Sequence, residues 1–217
     1  MMKKFLLIFA LLIALTACNS ANNDEPVVKY TTLVTYAGTD KDTHVTTFTF
    51  QTIDDAPLVT LTANWLPDED VIKPGERIII VYTADSYGVN GPIQLLQASP
   101  VIGWIPATTE APITGNIGAQ PVTYWRSGPY FNANIEAYIS GNGAAVKFAL
   151  LSSTKDDPYP VYYLAINQTD YNSIEASRKI AVLSFDISDV WNLQTCQGIK
   201  VIYRDYQNQE AEMTLTK

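Results

Sequence analysis

From residue 28 to the end of the 217-residue chain, apolar side chains recur at every second position, and no stretch longer than about ten residues repeats with a helical period. Successive side chains of a strand point to opposite faces, so this period of two is the signature of sheets with one buried face. The chain is therefore expected to be all-β. Tyr30, Thr32, Val34 and Tyr36 share one strand face, Phe48 and Phe50 share another, and a third strand follows the Asp54-Asp55-Ala56-Pro57 turn. At Lys73-Pro74-Gly75-Glu76, proline presets φ for the second turn position and glycine supplies positive φ at the third, delivering the chain into Arg77-Ile78-Ile79-Ile80-Val81-Tyr82. That strand is apolar on both faces and is expected to be central. With a further strand over residues 92–105 and residues 66–72 as a short plug or helical turn, the first part reads as a small five-stranded barrel of the oligonucleotide/oligosaccharide-binding type, spanning 28–105.

Residues 106–121 shift to Pro, Thr, Gly and Ala and read as a linker. Beyond it the pattern sharpens. Phe131, Ala133, Ile135, Ala137 and Ile139 alternate with Tyr130, Asn132, Asn134, Glu136 and Tyr138, and Ser140-Gly141-Asn142-Gly143 turns the strand back as a hairpin. Further strands are expected over 159–166, 179–187, 198–205 and 210–216, the last two joined by Tyr206-Gln207-Asn208-Gln209. With residues 122–126 and the hairpin, residues 122–217 read as a seven-stranded Ig-like β-sandwich.

The N-terminus says where such a chain works. Lys3 and Lys4 precede an apolar run over residues 5–15, too short to cross a hydrocarbon core of roughly 30 Å as a helix. Leu15-Thr16-Ala17-Cys18 then reads as a lipobox, so residues 1–17 are expected to be a cleaved lipoprotein signal peptide and Cys18 the lipidated first residue of the mature chain. Residues 18–27 are small, polar and charged, the composition of a solvated tether. The expected location is the cell envelope, lipid-anchored at the outer membrane through Cys18.

Loss of Lys3 and Lys4 from the 14 basic residues, against 22 acidic ones, takes the formal charge from −8 to about −10. Such a chain repels a phosphate backbone, and no nucleic-acid partner is expected. His44 is the single histidine, which leaves no Ser-His-Asp, Cys-His or multi-histidine metal site to assemble. Cys196 is the single thiol of the mature chain and reads as an inert, half-buried residue. The acidic pairs beside prolines, Asp54-Asp55 and Asp156-Asp157, read as solvated turns. No catalytic residue, metal site or cofactor is expected. What stands out is tyrosine, with thirteen copies. Tyr130, Asn132, Asn134 and Tyr138 project from one strand face and form the candidate ligand-binding row, able to stack on sugar rings or anchor a protein contact.

The order of lipobox, Lys73-Pro74-Gly75-Glu76-Arg77 leading into a strand ending Val81-Tyr82-Thr83, then Trp125-Arg126-Ser127-Gly128-Pro129-Tyr130-Phe131-Asn132, resembles the NigD-like lipoproteins. The resemblance covers nearly all of the mature chain. It departs at Pro129, where an acidic residue is more usual. It implies a barrel of the oligonucleotide/oligosaccharide-binding type followed by a β-sandwich, and, through the bacteriocin gene cluster that names the family, an immunity role; it supplies no catalytic residue. The expected function is a non-enzymatic interaction module of the envelope, bacteriocin-associated or supporting an outer-membrane assembly, with an envelope protein as partner. The alternative is a glycan-binding lipoprotein serving polysaccharide uptake.

Since no other residue can take the lipid thioether, Cys18→Ser should abolish incorporation of a clickable fatty acid in cells. Equal labelling of the variant would remove the anchor from this reading.

Overall fold

The computed structural model describes residues 27–68, 70–101, 115–141, 146–152 and 157–217. The signal segment 1–17, Cys18, the tether up to residue 26 and residues 106–114 of the linker lie outside the described residues, as do Asp156 and the Asn142-Gly143 turn. The described chain is all-β apart from one four-residue helix. It forms three sheets.

The first sheet contains β1 (Lys29–Thr39), β2 (Val45–Phe50), β3 (Val59–Asn64), β4 (Arg77–Thr83), β5 (Gly91–Pro92) and β6 (Gln94–Pro100), in the order β5-β3-β2-β1-β4-β6. Its period-two pattern buries Val34, Phe48, Leu61, Ile78, Ile80 and Tyr82 together on one face. Each such side chain contributes roughly 1.5–3 kcal/mol of burial. The doubly apolar β4 lies between β1 and β6, bonded on both sides. The turn before it forms as its residues require: Glu76 N–H donates to Lys73 O over 3.0 Å, with Gly75 at φ +92°. Trp65 packs its ring 5.9 Å from that of Phe48, and Ile72 is buried, so the 66–72 segment and its neighbour cover one end of the cluster.

The expected closed five-stranded barrel is corrected to this six-stranded sheet. β5 pairs parallel with β3 and β6 pairs antiparallel with β4, so one stretch of chain supplies both ends of the sheet without a continuous ladder. Pro92 lacks an N–H to donate and Gly91 sits at φ +144°, and the strand breaks into two pieces there.

The remaining strands are β7 (Ala119–Ser127), β8 (Tyr130–Ser140), β9 (Val146–Ser152), β10 (Val161–Gln168), β11 (Ala176–Asp186), β12 (Gly198–Arg204) and β13 (Glu210–Thr216), with helix α1 (Ser188–Trp191) between β11 and β12. They form a three-stranded sheet, β11-β8-β7, and a four-stranded sheet, β13-β12-β10-β9. Residues 119–121, read from sequence as the end of the linker, are the start of β7, and Ile117 is already buried. Both sheets supply the second cluster: Phe131, Ile135, Leu183 and Phe185 from one, Phe148, Leu150, Ile166, Ile199 and Val201 from the other. No residue belongs to both clusters. The strand order, which the sequence leaves open, includes one parallel pair here, β10 beside β12. After β10 the chain crosses to the other sheet as β11 and returns through α1, so it re-enters the four-stranded sheet in its original direction.

Two arginines join the halves. Arg126, buried at the end of β7, meets the Asp55 carboxylate at 2.9 Å, and the backbones of Asp54 and Ser127 form a bridge beside it. The same guanidinium lies 4.6 Å from the ring centroid of Trp191. Arg77, buried at the start of β4, places its guanidinium 4.2 Å from the centroid of Tyr130 and donates from Nε to Ser184 Oγ over 3.1 Å. Burial pulls its pKa down to about 10, which leaves it charged at neutral pH.

Phe131 is fully buried between the two C-terminal sheets, so Phe131→Ala should cost about 3–5 kcal/mol in urea unfolding, the sum of lost transfer energy and a residual cavity. A loss below about 1 kcal/mol would contradict the packing described.

Candidate binding groove

The tyrosine row of β8 is divided by the fold. At one end, Tyr130 lies half-buried beneath Arg77. Asn132 is fully buried, accepting from Ser184 Oγ at 2.8 Å and donating to Ser127 Oγ at 2.9 Å. Asn134 is half-buried and donates to Thr123 Oγ1 over 2.8 Å. Only Tyr138, eight positions and roughly 27 Å further along the strand, is open to solvent at 44%. The strand thus brings Tyr130 and Asn132 into the contact between the halves and carries Tyr138 away from it.

Tyr138 lines a groove of about 670 Å³ with residues that the sequence did not single out. Segment 115–118 forms one side, and Tyr171, Arg204, Asp205, Tyr206 and Asn208 complete it. Two glycines let the backbone come this close: a Cβ at Gly115 would sit 2.2 Å from Ile166 O, and one at Gly118 the same distance from Asp205 O. Asn116 holds the segment in place, accepting from Gln168 N at 2.9 Å and donating to Gln168 O at 2.9 Å.

The polar turn between β12 and β13 proves to be a built element. Asp205 accepts the backbone N–H groups of Gln207 and Gln209 at 2.8 Å each, and Asn208 takes a left-handed φ of +62°. This presents Tyr206 edge to face with Tyr138, centroids 5.2 Å apart and planes at 69°. The Tyr206 hydroxyl donates to Glu136 Oε1 over 2.8 Å, and Glu136 also pairs with Arg178. The hydroxyl bond, aided by Arg178, holds the Glu136 carboxyl below the usual glutamate range, while burial and that same bond push the Tyr206 phenol up. A signal for this groove was present in Arg204, a cation ending strand β12 between Tyr203 and the Asp205-Tyr206 pair.

Elsewhere the chemistry is that of ordinary turns. The Asp40 carboxylate accepts from the N–H groups of Asp42 and Thr43 at 2.9 Å each, with exposed His44 closing the loop. Cys196 is buried and its thiol donates to Gly198 O. Among the described residues no group of three His, Cys, Asp or Glu side chains could hold a metal ion, and no helix is long and apolar enough to cross a membrane.

Solved structures share this architecture. A NigD-like immunity protein from Bacteroides caccae superposes over 90% of this chain and 99% of its own, with a TM-score of 0.60 and 15% identity. The chain has a NigD-like fold. A protein described as toxin-related from Parabacteroides distasonis matches over 87% of this chain and 93% of its own, with a TM-score of 0.63 and 16% identity. A protein described as a lipoprotein from Bacteroides fragilis covers 87% of this chain and 97% of its own, with a TM-score of 0.63 and 14% identity. At such identities the likeness is one of fold. No protein-family model matches the sequence, and no curated protein matches it.

The groove makes a pH prediction. Because the folded-state pKa of Glu136 is lowered from 4.5, its contribution to stability is complete above about pH 4.5 and is lost as pH falls through the folded value. Wild-type unfolding free energy, measured in urea between pH 6 and pH 3, should therefore fall more steeply below about 4.5 than that of Glu136→Gln. Identical slopes would show that the Tyr206–Glu136–Arg178 contact does not favour the carboxylate.

Proposed function

We propose that this chain is a lipid-anchored envelope protein that acts by binding and not by catalysis, in an immunity role against a secreted antibacterial protein or in support of an outer-membrane assembly. The observation that carries this reading is the whole-length likeness to a NigD-like immunity protein, together with the lipobox at Cys18. The lipoprotein and toxin-related neighbours support it. In this reading Cys18 carries acyl chains at the outer membrane, residues 18–27 form the tether, and the linker that begins at residue 106 and ends where β7 starts divides a first domain from a second. The two facing C-terminal sheets, with seven strands between them, support a seven-stranded sandwich. Exposed Ile180 and Val122 flank the Glu136–Arg178 pair on the outer sheet and suit a protein contact.

The alternative, glycan binding for polysaccharide uptake, draws support from the tyrosine-lined groove.

Deleting the gene should make a strain sensitive to spent medium from its own parent, and wild-type protein, unlike Cys18→Ser, should restore survival. A deletion strain that survives as well as its parent sinks the immunity role. Reproducible hydrolysis of any polymer by the purified chain would refute the non-catalytic reading as a whole.

A further inference from the structure

Arg204 is placed in the groove in an unusual state. Its Nη1 donates to Asn208 O at 3.2 Å and Oδ1 at 3.1 Å, which fixes the plane of the guanidinium. Its Nε is buried with no hydrogen-bond partner, and no described carboxylate forms an ion pair with it. Glu136 is already engaged by Tyr206 and Arg178, and Asp205 Oδ1 by two backbone N–H groups. Nε–H and the neighbouring Nη2–H lie along one edge of the guanidinium, the edge that grips a carboxylate with two parallel hydrogen bonds. A cation that keeps this edge unspent, in a protein of formal charge −8, leaves unmet a demand for a planar anion. A ligand carboxylate accepting from this edge would satisfy the unpartnered donor.

The surroundings narrow the class of anion. Tyr138 and Tyr206, exposed at 44% and 42%, line the groove, and Tyr171 is a third ring in its lining. Aromatic faces of this kind suit the C–H face of a pyranose ring, while phosphate or a small free anion would use none of them. A volume of about 670 Å³ is that of an ordinary ligand site.

We propose that the groove binds a hexuronate unit of an acidic glycan, its ring stacked on Tyr138 and its carboxylate held by Arg204. This rests on the glycan reading and gives it a ligand class and a residue for each part of the ligand. It is independent of lipid anchoring.

The test is titration of the folded chain beginning at residue 19 with trigalacturonate, galacturonate, glucuronate, galactose and glucose, read by saturation-transfer difference NMR and calorimetry. Uronates should bind at least about tenfold tighter than the neutral sugars, a charge-assisted bidentate pair being the difference. Arg204→Lys keeps the charge, loses the fork and should lose most of that preference; Tyr138→Ala should weaken all sugars about fivefold or more. Circular dichroism and thermal melting show whether each variant is folded. Equal binding of uronates and neutral sugars, or an unchanged preference in folded Arg204→Lys, would overturn the uronate assignment and leave the glycan reading standing. No binding of any sugar by the folded wild-type chain would overturn both.

Discussion

The alternation of β8 is the constraint on which the rest of the molecule depends. Its odd-numbered residues, from Phe131 to Ile139, are buried in the cluster that holds the two C-terminal sheets together. Its even-numbered residues stand on the other face, where Tyr130 and Asn132 receive the N-terminal half, Glu136 holds the Tyr206 hydroxyl and Tyr138 lines the groove. Because the side-chain period is two, a slip of one residue would move every one of these groups to the wrong face. Pairing along the whole of β11 on one side and β7 on the other makes that slip expensive.

Where the halves meet, charge is buried. Arg126 has a carboxylate partner in Asp55 and a ring beneath it in Trp191, whereas Arg77 has a ring, two hydroxyls and one Nη group left without a partner. Desolvating a guanidinium costs several kcal/mol before its contacts return any of it, so these residues contribute little net stability and a good deal of geometry. A guanidinium plane satisfied from both halves admits few relative orientations, which apolar packing alone does not enforce. The tyrosine row is not a flat platform: Tyr130 is spent on Arg77, and the row's asparagines are spent on Ser184, Ser127 and Thr123.

The groove lies at the opposite end of β8 from that contact. Its floor is set by backbone packing against Gly115 and Gly118, and its rings and guanidinium by a four-residue turn with a left-handed Asn208. These are short-range devices mounted on long strands, which places the side chains without large loops. Such a site holds its geometry through backbone hydrogen bonds, and its chemistry can change with few substitutions.

The sequence alone determined what local periodicity and punctuation can determine. Alternation over 131–139 specified a strand and its buried face, the apolar run 77–82 specified a central strand, and the Pro74-Gly75 turn specified its own backbone, because each depends only on neighbouring residues. The NigD-like likeness was legible in the order of these elements. Only the tertiary structure decided which strands pair. Gly91-Pro92 marks a break locally, but the pairing of β5 with β3, which replaced the closed barrel, and the parallel return of β12 beside β10 are long-range choices. Burial of Tyr130 and Asn132 was likewise invisible, since their partners Arg77 and Ser184 come from far along the chain. Arg204 and Tyr206 read as the end of a strand and a polar turn until the segment at Gly115 and Gly118 was laid against them. A period of two assigns a side chain to a face; what covers that face is decided by residues a hundred positions away.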